Sequence, residues 1–456
     1  MTMGWTKEQA RALADRVLSF SRAADCEVFL GLSKTGHTRF AANQVTTAGS
    51  AETLSISITS REGGRSGSTS LDFLDDDAVK GAVARSEELM AAARPDPEAV
   101  EALGPQKYLE IDAFDEETAH PDPVKRRDGV KKALDRARAE RLTASGFFET
   151  SARWSALANK KGNFGFHRST SAEFSTTMRT AEGTGSGYAA FEAPRLAGID
   201  PSRLVEIAAS KAVSSSRPRD LEPGRYTVIL EPQAVSELLF PLIFSLNART
   251  SDEGRSFLSK PGGGTKLGEK LFADGVTLRS DPTDPRVPGS PWTGGGRGGG
   301  LGFGGFGGGG SAGLPSRKTT WIENGVVKAL SVDRFWAVKT KTDPVPFSGS
   351  LVMEGSSRPV EELIAQTERG LLVTRFWYIR VVNPQNATVT GLTRDGVWLI
   401  EKGKIAYPVN NFRFNESPIN LLKNLEATSV PTTANRMVVP AIKSNDFLFT
   451  SRSDAV

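Results

Sequence analysis

A chain of 456 residues with 38% hydrophobic and 24% charged residues has enough apolar material for two or three domains, each with its own core. Its formal charge of +4 is too small an excess over this length to imply nucleic-acid binding, and no run of about eighteen apolar residues is present to form a membrane-spanning helix. A single cysteine, Cys26, rules out an intrachain disulfide and makes a reducing cytoplasm the expected compartment.

Thr6 and Gln9 have the pattern of a capping box, and Ala10, Leu13, Ala14, Val17 and Leu18 follow at helical spacing. The N-terminus is therefore expected to open on a charged amphipathic helix rather than an apolar leader. Strands are expected over 27–32, 38–42, 53–59 (where Leu54, Ile56 and Ile58 alternate) and 65–69 after the Gly63-Gly64 turn. Asp75, Asp76 and Asp77 put negative charge at the start of a helix running to Met90. Pro95, Pro97, Gly104 and Pro105 then break the pattern. A helix over 124–145 and strands over 147–158 and 171–180 follow, and Asp200 and Pro201 supply the cap and first turn of a helix to Val213. The basic run from Lys125 to Arg141 is interleaved with Asp128, Asp135 and Glu140, the composition of a solvated helix face.

Ser214, Ser215, Ser216, Arg217, Pro218 and Arg219 mark the expected boundary between an N-terminal domain (1–215) and a C-terminal domain (221–456). Beyond it, 224–230 reads as a strand and 233–246 as a helix-length apolar segment. From Thr319 onward the pattern is strands and tight turns: 320–322, the Asn324-Gly325 turn, 335–340, 371–382 and 388–392. The runs 397–401 and 405–409 are joined by Lys402-Gly403-Lys404, a hairpin with glycine where positive φ is needed. A second tight turn at Asn410-Asn411 precedes Arg413, Asn415 and Glu416. The fold class expected is α+β: a two-layer α/β N-terminal domain followed by a mainly antiparallel-β C-terminal domain.

Within an insertion placed at 289–313, residues 294–310 hold thirteen glycines in seventeen positions, a composition expected to be disordered. Brief protease exposure is expected to cut near this stretch, at Arg297 or Arg317, while the two halves stay associated. Deleting 294–310 is expected to leave the Tm nearly unchanged. A large loss on thermal melting would mean that Phe303 and Phe306 are packed.

The spacing tests for chemistry are mostly negative. His37, His120 and His167 stand far apart in sequence, none in a His-Glu pair, and read as surface or structural histidines. A site built from carboxylates alone would suit magnesium or calcium rather than hydrolytic zinc. No Gly-x-Ser-x-Gly elbow is present, and Ser66, Ser186 and Ser350 lie beside glycines in turns. Gly185, Gly187 and Ala190 match a dinucleotide-binding spacing, but no helix opens until Pro201, so this stretch reads as a glycine-rich strand end or hairpin. In 263–270, Glu269 stands where a phosphate loop needs lysine.

Several pieces, in their shared order, resemble the TldD/PmbA family. They are Thr38 to Val45, Gly63 to Gly67, Asp75 to Ser86, Ala156 to Gly162, Gly183 to Gly187, Gly268-Glu269-Lys270, Ile322 to Val326 and the hairpin segment Gly391 to Asn415. The resemblance implies a cytoplasmic metallopeptidase whose catalytic members carry His-Glu-x-x-x-His on a helix and a third zinc ligand from a cysteine near the C-terminus. Aligned from Glu231-Pro232, the six motif positions run from Phe240 to Ser245. Phe240 and Ser245 replace the histidines, Pro241 replaces the glutamate, and 435–442 carries no thiol. None of these side chains binds zinc or serves as a base.

The pattern resembles the family's metal-free TldE-like branch. It implies no catalytic or metal-binding residue and no cofactor in this chain, with zinc in a TldD-like partner subunit. The partnership would be a heterodimer acting on unfolded or extended peptides, with no nucleic acid or membrane involved. A stand-alone peptide-binding or scaffold protein of the same fold is the alternative. The apolar run Phe240, Leu242, Ile243 and Phe244 is expected to be buried in the core or against a partner.

Overall fold

The computed structural model describes residues 4–294 and 312–453, so most of the glycine-rich insertion lies outside the described residues. In chain order the first half comprises α1 (Lys7–Ser19), β1 (Asp25–Ala41), β2 (Gln44–Glu62), β3 (Arg65–Leu71), α2 (Asp76–Ala92), α3 (Glu116–Ala119), α4 (Pro123–Glu140), β4 (Leu142–Asn159), β5 (Phe164–Thr180), β6 (Ser186–Ala193) and α5 (Pro201–Ser214). Its strands form one antiparallel sheet in the order β3-β2-β1-β4-β5-β6. Period-two alternation decides which face is dry. Cys26, Val28, Leu30, Ile56 and Ile58 point to α1 and α2, where Ala10, Ala14, Val17, Val79 and Val83 meet them. Ala144, Phe148, Phe174 and Met178 meet Val130, Ala133, Ala137, Leu204, Ala208 and Ala212 of α4 and α5. The helices thus cover one face of the sheet and leave the other to face the second half.

That second half comprises β7 (Gly224–Leu230), α6 (Pro232–Phe244), α7 (Ala248–Asp252), β8 (Leu278–Ser280), β9 (Thr319–Glu323), β10 (Val326–Val327), α8 (Arg334–Thr340), β11 (Leu351–Met353), α9 (Val360–Ala365), β12 (Arg369–Asn383), β13 (Thr388–Glu401), β14 (Lys404–Pro408), β15 (Asn411–Glu416), α10 (Pro418–Lys423), β16 (Leu425–Thr428), β17 (Thr432–Ala434), β18 (Met437–Val439) and β19 (Ile442–Ser453). A larger sheet has the order β12-β7-β19-β15-β13-β14, with β16 on β19, and a smaller one the order β10-β9-β8-β11-β18-β17. Their shared core encloses α6. The chain is mixed α and β, and its second half is mainly antiparallel; β7–β12 and β11–β18 are parallel pairs.

Four local expectations are corrected. The strand expected over 335–340 is the helix α8, because Asp333 caps it by accepting from the Trp336 amide and Lys341 closes it in the left-handed region. The helix expected to reach 145 stops at Glu140, where Arg141 turns left-handed at φ 58°. The strands expected at 27–32 and 38–42 are one strand, since pairing to β2 and β4 carries the backbone through the weakly apolar middle. The runs at 388–392 and 397–401 also join, through Asp395 and Gly396 at positive φ. The Lys402-Gly403 turn is as expected, with φ 50° and 73°.

The flanks of the insertion are built into the contact between halves. Trp292 is buried against Tyr108 and His167, and the Tyr108 hydroxyl donates to the Gly313 carbonyl at 2.8 Å.

Candidate functional site

The sheet face turned away from the helices is paved with hydroxyls rather than apolar side chains. Cross-strand register lines them up in rows. Ser55, Gly31, Ser155 and His167 form one, Thr53, Ser33, Arg153 and Ser169 the next, and Ala51, Thr35, Ser151 and Ser171 the third. A fourth row runs from His37 through Glu149 and Glu173 to Glu192. Segments 286–294 and 347–351, with Thr433, Arg436 and Met437, roof this floor and leave a cleft of about 680 Å³.

Charge in the cleft is largely answered from the opposite half. Arg436 reaches across to Glu192 at 2.8 Å, aimed by the left-handed turn of Asn435 and Arg436. Burial first, and then the charge of Glu192, push the Glu173 carboxyl above the ordinary carboxylate range. Burial lowers His167 to about 4, so it is neutral at neutral pH, with its ring edge-on to Trp292. The Ser155 hydroxyl donates to the His167 carbonyl rather than the ring, and Ser151 pairs with Ser171, so these groups form no nucleophile–base dyad. Alternating hydroxyls instead suit an extended chain held by polar contacts.

Helix α6 meets the cleft through the same turn, since Asn435 Nδ2 donates to Ser236 Oγ at 2.8 Å. Leu242 and Ile243 are buried in the core of this chain. Phe240 and Phe244 are half-buried and pack edge to face at 4.4 Å. The burial expected of this run is therefore largely met within the chain, which removes much of its force as an argument for a partner. Pro241 lies inside the helix, and the Ser245 hydroxyl caps back onto the Pro241 carbonyl at 3.3 Å. These side chains do not fit a zinc ion. The segment holding no thiol contributes Met437, Val438 and Val439 to β18, all buried.

The histidines are not brought together. His37 stacks on Phe147, six residues along β1 from the row that ends at His167, or about 20 Å at strand spacing. His120 sits beside Glu116 at the end of α3. Cys26 is buried in the N-terminal core, and burial raises its thiol. Among the described residues no group of three or more His, Cys, Asp and Glu has metal-holding geometry. Glu416 is structural, accepting from the amides of Ser417 and Leu448.

Sequence reasoning missed a charged cluster between the halves. On α6, Glu237 accepts from the Phe376 amide at 2.6 Å and lies 3.8 Å from Arg375, which reaches Asp395 at 3.6 Å. Ser186 on β6 donates to Asp395 at 2.6 Å, and Arg375 stacks over Tyr188 at 4.1 Å. Burial pushes Glu237 from 4.5 up to about 7, against the opposing pull of Arg375 and the hydrogen bonds from Gln233 and Phe376. A folded-state pKa above the unfolded one means the native state keeps a proton that the unfolded chain has lost, so stability falls as pH rises through that window. Glu237→Gln mimics the protonated form. It is expected to melt like the wild type near pH 5 and to gain on it by up to about 3 kcal/mol near pH 8. Denaturant unfolding across that range checks this, and parallel pH profiles would rule it out.

Comparison with known proteins places these features. Family profiles match residues 26–90 (PmbA/TldA metallopeptidase domain 1), 119–216 (central domain) and 223–451 (C-terminal domain). Among solved structures, TldE from Thermococcus kodakarensis superposes with a TM-score of 0.83 at 20% identity, over 97% of this chain and 99% of that one. A proposed modulator of DNA gyrase from Bacteroides thetaiotaomicron gives 0.81 at 21% identity over 98% and 99% of the two chains. Another from Thermotoga maritima gives 0.81 at 16% identity over 97% and 100%. At these identities the structures share the fold. No curated protein sequence matches this chain.

Proposed function

From the premise that this chain belongs to the PmbA/TldD metallopeptidase family, we propose that it is a TldE-like, metal-free subunit of a heteromeric zinc peptidase. What supports the reading is α6, where Phe240, Pro241 and Ser245, which we align with the family's zinc-and-base motif, offer no imidazole or carboxylate. The hydroxyl-paved cleft supports a holding role: an unfolded or extended peptide lies along it by main-chain and hydroxyl hydrogen bonds, while hydrolysis belongs to a TldD-like chain bearing His-Glu-x-x-x-His and zinc. The pair works in the cytoplasm. No helix among the described residues is long and apolar enough to cross a membrane.

The test is co-expression with a His-Glu-x-x-x-His chain of the family from the same genome, followed by size-exclusion chromatography. Co-elution as one heteromeric peak is the expected result. Two separate peaks would instead favour a stand-alone peptide-binding or scaffold protein.

A further inference from the structure

One arm of the larger sheet runs along the margin of the core, which it touches through Ile379 and Val389. β7 pairs β12 only along Leu371, Leu372 and Val373, so among the described residues no strand lies on the outer side of β12 beyond that point. On this arm Trp377, Tyr378, Val381 and Val382 are 46%, 63%, 59% and 58% exposed. Both faces of the strand are therefore wet at once. The register to β13 breaks between Trp377 and Arg380, and Tyr378 is held at φ 56° with the Arg380 guanidinium 3.9 Å over its ring. Arg394 lies 4.8 Å over the other aromatic, Trp377, and Arg375 5.4 Å.

Tryptophan, tyrosine and arginine are the residues that dominate binding energy at protein interfaces. A long, exposed, apolar edge is also what soluble proteins cover. Charge selects the occupant. Glu237 and Asp395, two carboxylates beside the arm, are engaged inward with Arg375, and Glu416 is held by the amides of Ser417 and Leu448. A second copy docking by the same surface would set one arginine-edged strip against another of the same charge. Nucleic acid fits less well, because Val381 and Val382 offer it nothing and 377–390 contains no lysine.

We propose that the β12–β13 arm is the docking surface for a different protein chain, one presenting an apolar strip edged with aspartate and glutamate. The identity of that chain, the metal-bearing subunit, rests on the reading above.

The experiment measures binding of the His-Glu-x-x-x-His chain to wild type, to Val381→Asp/Val382→Asp and to Arg380→Glu, at low and high salt. Both substituted valines are solvent-exposed, so the melting curve of the free double variant should overlay that of the wild type. The expected result is binding weakened at least about tenfold in both variants and weakened by salt in the wild type. Wild-type affinity in both variants would overturn the proposal while leaving the heteromeric reading standing. Failure of the wild type to bind would remove both. A self-dimer broken by the double variant would assign the arm to a second copy, and capture of single-stranded oligothymidylate lost in Trp377→Ala would assign it to nucleic acid; either overturns the proposal.

Discussion

Gly187→Val is expected to destabilise the chain by about 3 kcal/mol, the upper range for forcing atoms into a packed interior. A Cβ built at Gly187 falls 2.2 Å from the Ala208 carbonyl oxygen and 2.6 Å from the Ala212 amide nitrogen of α5. At Gly185 it falls 2.2 Å from the Ala212 carbonyl oxygen. The obstacle is helix backbone, which cannot rotate away as a side chain does. Neither glycine has positive φ, so what each supplies is the missing Cβ, which lets α5 rest on β6. The dinucleotide-like spacing of Gly185 and Gly187 thus has a packing explanation. Gly81→Ala is the control, since it lies within α2 with nothing within 4 Å of the new methyl, and it is expected to be neutral or stabilising by about 0.5–1 kcal/mol. Urea midpoints for the two variants decide the matter, and an unchanged midpoint for Gly187→Val would refute the packing account.

The second large effect is in metal content. Purified from zinc-replete medium and dialysed, this chain is expected to carry far less than one zinc per molecule. The reason is side-chain chemistry: the proposed motif positions are Phe240, Pro241 and Ser245, and a phenyl ring, a pyrrolidine ring and a helix-capping hydroxyl supply no imidazole, thiolate or carboxylate. His37 and His167 lie on one sheet face, several rows apart and on different strands, so neither completes a site with the other. Elemental analysis checks this. About one tightly held zinc per chain would show the alignment of α6 to be wrong.

Local signals in the sequence were legible where a few residues fix the backbone. The Thr6–Gln9 capping box, the Asp200–Pro201 helix start and the Lys402-Gly403 turn all formed as their chemistry dictates. Reading failed where tertiary pairing overrode a weak local pattern. Residues 33–36 show no apolar periodicity, yet β2 and β4 on either side hold them extended. Phe335, Trp336 and Val338 are β-prone, but the Asp333 cap prevails.

The family resemblance was readable from the order of short segments, whereas the cleft was not. Alternating serines such as Ser151, Ser155, Ser169 and Ser171 look like a solvated strand face, and only the lateral register shows them as one floor beneath the other half. Glu237, Arg375 and Asp395 are brought together from distant parts of the chain, and no spacing announces such a cluster.

The most direct test of the central claim is a digestion assay on a denatured protein substrate, run with this chain, with the His-Glu-x-x-x-His chain, and with the two together. Cleavage is expected only in the mixture, and replacing the glutamate of the partner's motif is expected to abolish it. A partner that digests the substrate equally well without this chain would contradict the account.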